Sequence, residues 1–329
     1  MLSWAGAMPL AGQHTPSHQF WFTPGPGTAD YSRLFEHPEE WSRAREVTSV
    51  FKFYQQHTQT PAPPIVGPNT YDALVRAQAF RRLAQWRKQI AIEVGAVKEF
   101  YCTADGSGMR ESIAASVAAV EAIERGGGSV AYLAMDEPFV AGRARVCGGP
   151  ALEPTADRVA TYVAGVHAAR PAVAIGLIEA YPYSDADAIE AIVARLTSRG
   201  AKPAFLHMDV DWHLSGPDAF KRDLKRLQTF AGSRQIPFGI ILTGYDGDAD
   251  ALYAHDVGDI TELTAQTFGT WNAMPDHIVV QSWAESRTGL RITPSNLPET
   301  RLYAHTQMLF GVFRRLHAGG ASTGTAVPR

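Results

Sequence analysis

The chain has 329 residues, 45% of them hydrophobic, and a net charge of −3. That length suits one large domain or two small ones, and the hydrophobic content is ordinary for a globular core. The balanced charge, with no long basic run, argues against nucleic acid and anionic membrane as partners, and no apolar stretch approaches the ~20 residues that span a bilayer.

Residues 1–17 are expected to be flexible; Met1 to Leu10 is mildly apolar but has no basic residue ahead of it, which makes a weak signal peptide. Phe20-Trp21-Phe22 is a first strand, running into the irregular Thr23-Pro24-Gly25-Pro26-Gly27-Thr28. A short helix follows from Pro38 to Arg45, and Ser49 to Tyr54, β-branched and aromatic, is a second strand. After the proline-rich Pro61 to Pro68, Asn69 is placed to cap one long helix reaching Lys88. Gln89 to Val94 is a third strand, carrying Glu93, and Met109 to Glu124 is an alanine-rich helix stopped by three glycines.

The fourth strand is the stretch on which the reading turns. Ala131-Tyr132-Leu133-Ala134-Met135 is an uncharged run that ends abruptly in Asp136-Glu137-Pro138. The proline restricts Glu137, and an extended backbone is expected there. A helix from Thr155 to Ala169 leads to the fifth strand, Val173 to Ile178, ending in Glu179. Ser184 opens the next helix, which Gly200 closes. Pro203 to Val210 is the sixth strand, with His207, Asp209, Asp211 and Trp212 at its end, and a helix covers Pro217 to Ala231. Pro237 to Leu242 is the seventh strand, finishing at Thr243-Gly244-Tyr245-Asp246; helical segments fill Asp248 to Trp271. His277 to Val280 is the eighth, ending in Gln281-Ser282-Trp283, and a last helix is expected from Leu297-Pro298-Glu299 to Leu316. Residues 318–329 are small and polar and expected to be flexible.

Strands alternating with helices predict a parallel sheet, and eight such units predict a single (β/α)8 barrel, a TIM barrel, over residues 18–317. No glycine-rich phosphate loop follows the first strand, which argues against a dinucleotide fold. Cys102 and Cys147 each follow an acid-bearing strand end, so a disulfide between neighbouring loops is possible; two free thiols fit the spacing equally well. A disulfide would favour a secreted or periplasmic setting.

In a (β/α)8 barrel the carboxyl ends of the strands converge on one bowl. Round the ring these ends supply Trp21, Tyr54, Glu93, Asp136, Glu137, Glu179, Tyr181, His207, Asp209, Asp211, Trp212, Tyr245, Gln281 and Trp283. No lysine or arginine sits immediately at those ends, although Arg143 and Arg145 are near in a loop. Carboxylates and amides bind the hydroxyls of neutral sugars, and aromatic rings stack on their C–H faces. Glycoside hydrolysis needs two carboxyl groups, one protonated and one ionised.

Met135-Asp136-Glu137-Pro138 resembles the Asn-Glu-Pro motif of clan A (β/α)8 glycoside hydrolases, in which the glutamate after strand four is the general acid/base. Trp283 is similar to the tryptophan that floors the sugar site in several of those families. The resemblance implies a glycoside hydrolase acting on an oligo- or polysaccharide, with Glu137 as general acid. The chain departs from the motif in having Asp136 for the asparagine, and Thr243-Gly244-Tyr245 where the clan's strand-seven glutamate would stand. Either the second carboxylate comes from another strand, or the mechanism differs, or the activity is lost. Glu179 on the adjacent strand is the first choice, followed by Asp209, Asp211 and Glu93; the catalytic set is Glu137, Glu179 and Asp209, and the remaining ring residues other than Tyr54 bind substrate. This reading calls for a carbohydrate substrate, no cofactor and no metal, and leaves the oligomeric state open. The alternatives are a divalent-metal sugar isomerase or epimerase, using Glu137, Glu179, His207 and Asp209 as ligands, and a carbohydrate-binding barrel without catalysis.

Overall fold

A computed structural model of the chain describes residues 18–283 and 294–318. The terminal segments assigned above as flexible lie outside these residues, apart from Ala318. Eight parallel strands close into a barrel in sequence order: β1 (Gln19–Thr23), β2 (Thr48–Tyr54), β3 (Gln89–Val94), β4 (Val130–Asp136), β5 (Ala174–Tyr181), β6 (Leu206–Val210), β7 (Phe238–Leu242) and β8 (His277–Gln281). The predicted TIM barrel is the fold, and each strand lies within a few residues of its expected place. Among the described residues no helix is long and apolar enough to cross a membrane.

Side chains alternate between the barrel interior and the surrounding helices, and register fixes which go where. Trp21, Val50, Ala91, Ala134, Ile178, Phe205, Ile241 and Val279, one from each strand or its edge, fill the lower interior as a separate apolar cluster. The bulk of Trp21 and Phe205 is accommodated by small neighbours. A Cβ on Gly176 would lie 2.2 Å from the Phe205 ring. The opposite faces of the strands bury Leu133, Met135, Leu177, Met208 and Ile240 against the helices in the larger core.

Three helices differ from expectation. The long helix after β2 is two, Tyr71–Arg76 and Ala79–Gln85, broken at Gln78 with φ 57°. The break lets both pieces bury an apolar face, Leu74 in the first and Phe80 and Leu83 in the second. Thr70 caps it, accepting from the Ala73 amide at 3.3 Å, while Asn69 is drawn away to donate to the Pro26 and Thr28 carbonyls. Asp185, not Ser184, caps the helix Ala186–Ser198. The last helix, His305–Ala318, begins later than Pro298, because the Asn296 and Leu297 amides are held by Asp30 and the Glu299 carboxylate binds the Arg43 side chain and the Ala44 amide.

Cys102 and Cys147 form a disulfide, with Cα atoms 5.0 Å apart. It ties the loop after β3 to the loop after β4, the pairing the matching positions of the two cysteines had suggested.

Candidate functional site

The carboxyl ends of the strands enclose a cavity of about 620 Å³. Glu93, Asp136, Glu137 and Asp209 line it, together with Tyr54, Phe100, Tyr245 and Trp283. Glutamines come from β8 and from the loop after β2, and one cation, Lys98, is in the wall.

Glu137 stands where β4 becomes helix. Its amide donates to the Ile178 carbonyl at 3.1 Å, extending the β4–β5 ladder by one bond, and its own carbonyl accepts from Ala141 to start the helix Pro138–Gly142. Glu137 is left-handed, at φ 45° and ψ 48°. The extended backbone expected ahead of Pro138 is corrected here: Glu137 lies in the left-handed region, a sparsely populated conformation for a residue other than glycine and one that the surrounding structure must hold. Burial pushes the Glu137 carboxyl up to about 7, the charge of Asp136 adding to the shift and Lys98 opposing it.

Asp209 comes from β6. In the parallel ladder it pairs with Ala180 and Ile241, and Ile241 is an interior residue, so Asp209 points inward. Burial pushes its carboxyl up to about 8, with the charges of Glu137 and then Glu93 acting in the same direction. Glu137 and Asp209 thus sit in one poorly solvated site, where ionising one opposes ionising the other.

The strand-seven end contributes no acid. Thr243 lines the cavity in its place, and a Cβ on Gly244 would meet the Tyr253 carbonyl at 2.7 Å.

Basic residues do reach the bowl, contrary to the count at the strand ends. Lys98, in the loop after β3, binds Asp136 at 2.6 Å. Lys52 is fully buried in mid-β2 and donates to Glu93 and, at 2.5 Å, to Gln281. Its signal in the sequence was parity, since Val50, Lys52 and Tyr54 alternate on one face of the strand. Lys98 carried no such signal, being placed by a loop.

Other candidates lie elsewhere. Glu179 pairs in register with Met208, on the helix side of the wall, while its neighbours Ile178 and Ala180 pair with the inward His207 and Asp209. It is fully buried, accepts from the Phe139 amide at 2.9 Å, and is pushed up to about 8 by burial. Tyr181 shares its side of the wall, and its hydroxyl donates to Asp223 at 2.6 Å. Trp21 and His207 are wholly buried beneath the cavity, with His207 Nε2 2.8 Å from His277 Nδ1. The Asp211 amide is held by the Tyr181 carbonyl at 2.8 Å, and the Trp212 ring stacks on His213 with centroids 3.9 Å apart; neither residue lines the cavity. Among the described residues no group of three or more His, Cys, Asp or Glu side chains could hold a metal ion.

No family model matches the chain, and no curated protein matches its sequence. Solved structures do match its fold. A psychrophilic glycoside hydrolase family 10 endo-β-1,4-xylanase superposes with a TM-score of 0.53 at 13% identity, over 89% of this chain and 96% of that one. A thermostable mutant of a xylanase from Cellvibrio japonicus gives 0.56 at 12% identity, over 91% and 97%. The active domain 2 of a chitinase from Pyrococcus furiosus gives 0.52 at 13% identity, over 91% and 96%. At these identities the likeness lies in the (β/α)8 barrel.

Proposed function

We propose that the protein is a glycoside hydrolase acting on an oligo- or polysaccharide, with Glu137 and Asp209 as its paired carboxyls. The observation that carries this reading is the shared electrostatic site of the two. Both line one cavity at the carboxyl face of the barrel, both are raised by burial, and the charge of Glu137 raises Asp209. Such a pair passes through a singly protonated state, in which one member can donate a proton while the other acts as base or nucleophile. Trp283, 47% exposed, and Tyr245, 42% exposed, offer ring faces at the mouth. The barrel shared with xylanases and a chitinase supports the same class.

Glu137 is assigned as the general acid, protonating the leaving oxygen, and Asp209, two strands away, as its partner. Glu179 is not proposed for this role, because its carboxyl faces the helices. The four residues named for a metal-dependent isomerase do not converge on one point, since Glu179 is outside the barrel wall and His207 is beneath the cavity.

Reducing-end release from xylan and from chitin oligosaccharides, with wild type beside the Glu137→Gln/Asp209→Asn double variant, tests the reading. Release by wild type alone is expected. Binding of these glycans without turnover by wild type would instead make the protein a carbohydrate-binding barrel, and neither binding nor turnover would overturn the reading.

A further inference from the structure

Lys52 has no part in the chemistry just described, yet it is an unusual residue to find in mid-strand inside a barrel. A lysine held out of water needs partners for its charge. Its partners come from two different strands: Glu93 on β3, paired in register with Tyr54, and Gln281 on β8, paired with Thr23. Lys52 therefore lies one layer below the ring formed by Thr23, Tyr54, Glu93 and Gln281, and reaches up into it.

The contact with Gln281 has a direction. An ammonium group only donates, so the atom of Gln281 that faces Lys52 must be its carbonyl oxygen. The amide nitrogen is then turned the other way. Gln281 lines the cavity, and among the described residues no hydrogen bond uses its nitrogen. Glu93 also lines the cavity, and it has a second oxygen beyond the one bound to Lys52. The cavity floor consequently offers an N–H donor from Gln281 beside a carboxylate acceptor from Glu93.

The geometry points to Lys52 as the positioning residue of a hydroxyl-binding floor, in which Gln281 donates to, and Glu93 accepts from, neighbouring hydroxyl groups of a neutral polyol substrate. This rests on the reading of the cavity as a sugar site, and it deepens that reading by assigning the donor and the acceptor and by giving their common cause. A neutral ligand also suits a cavity with four carboxyl groups and one lysine in its wall.

The two variants that test it are Lys52→Met, which removes the donor while keeping the unbranched apolar stem, and Gln281→Glu, which keeps an oxygen for Lys52 but, when ionised, cannot donate to substrate. Xylotetraose and chitotetraose are the probes, measured by calorimetric titration and, on whichever is cleaved, by kcat and KM. Each variant is expected to weaken binding roughly 10- to 100-fold, the range for one lost hydrogen bond to a charged or strongly polarised group, with KM changed more than kcat. Gln281→Glu is expected to do so while melting near the wild-type temperature. Wild-type affinity in Gln281→Glu would overturn the proposal, as would a Lys52→Met protein that melts lower but binds normally, because Lys52 would then be structural. If wild type binds the probes without cleaving them and the variants lose that binding, hydrolysis fails as the function while the floor stands. If wild type binds neither probe, both fail.

Discussion

The Glu179 carboxylate accepts a hydrogen bond from the Phe139 amide at 2.9 Å, and it does so on the helix side of β5. Glu179 is thereby a support for the helix that starts at Glu137, one step removed from the cavity. Burial raises its carboxyl from the usual 4.5 to about 8. A carboxyl raised by folding binds its proton more tightly in the native state, so the native state loses stability as pH rises from about 4.5 to about 8 and changes little beyond. Glu179→Gln keeps an oxygen for Phe139 and cannot ionise. Its melting temperature should match wild type near pH 4.5 and exceed it at pH 8 and above, with activity within about twofold. A large loss of turnover in a folded Glu179→Gln protein would return Glu179 to the catalytic set.

Trp283 ends the β8 side of the cavity, its ring 4.9 Å from that of Tyr54. The ring is half exposed, so its removal costs little core. Trp283→Ala should raise KM for a cleaved oligosaccharide by roughly 2- to 13-fold, equivalent to about 0.5–1.5 kcal/mol of lost ring contact, and leave the melting temperature within a few degrees. An unchanged KM with a marked fall in melting temperature would make it a packing residue.

The Cys102–Cys147 disulfide closes a sequence separation of 45 residues, and neither sulfur-bearing residue is appreciably exposed. Replacing both cysteines by serine should cost about 2–4 kcal/mol of stability. Denaturant titration gives the value, and thiol counting under denaturing, non-reducing conditions should find no free thiol in the oxidised wild type. Two free thiols there would contradict the pairing.

The barrel was legible in the sequence because alternation of apolar runs with helical segments is a local property repeated eight times. Which acids meet was less legible. Glu179 and Asp209 both lie near the end of a strand, but β5 and β6 present them with opposite parity relative to the wall, and that parity depends on the pairing of Ala180 with Asp209. The eye reads a strand end as an edge; the register decides which face it shows. Trp21 and His207 differ from expectation for a related reason, since inward-facing residues a layer below the rim fill the interior without lining the cavity. Lys52 was hidden between Phe51 and Phe53 and was recoverable only from its parity with Tyr54. The left-handed Glu137 was not legible, because the residue before a proline ordinarily favours extended backbone.

The carboxyl pair also sets a pH dependence. Burial raises both carboxyls toward neutrality, so they titrate as a coupled pair whose two apparent pKa values belong to the pair and not to either residue, and kcat/KM should be bell-shaped with its maximum between those two values. Removing the Glu137 charge removes the strongest charge acting on Asp209, so Glu137→Gln should move the remaining titration of Asp209 downward. An unmoved Asp209 titration, followed by carboxyl infrared difference spectra, would show that the two groups do not share a site.

The most direct test compares Glu137→Gln and Asp209→Asn on two substrates: an oligosaccharide that wild type cleaves, and an aryl glycoside of the same sugar whose leaving group needs little protonation. With Glu137 as general acid, Glu137→Gln should lower kcat by about 10²–10⁴-fold on the oligosaccharide and far less on the aryl glycoside, while Asp209→Asn should impair both alike. A leaving-group dependence confined to Asp209→Asn would exchange the two roles. Near-normal turnover of the oligosaccharide by Glu137→Gln would contradict the assignment of this carboxyl pair.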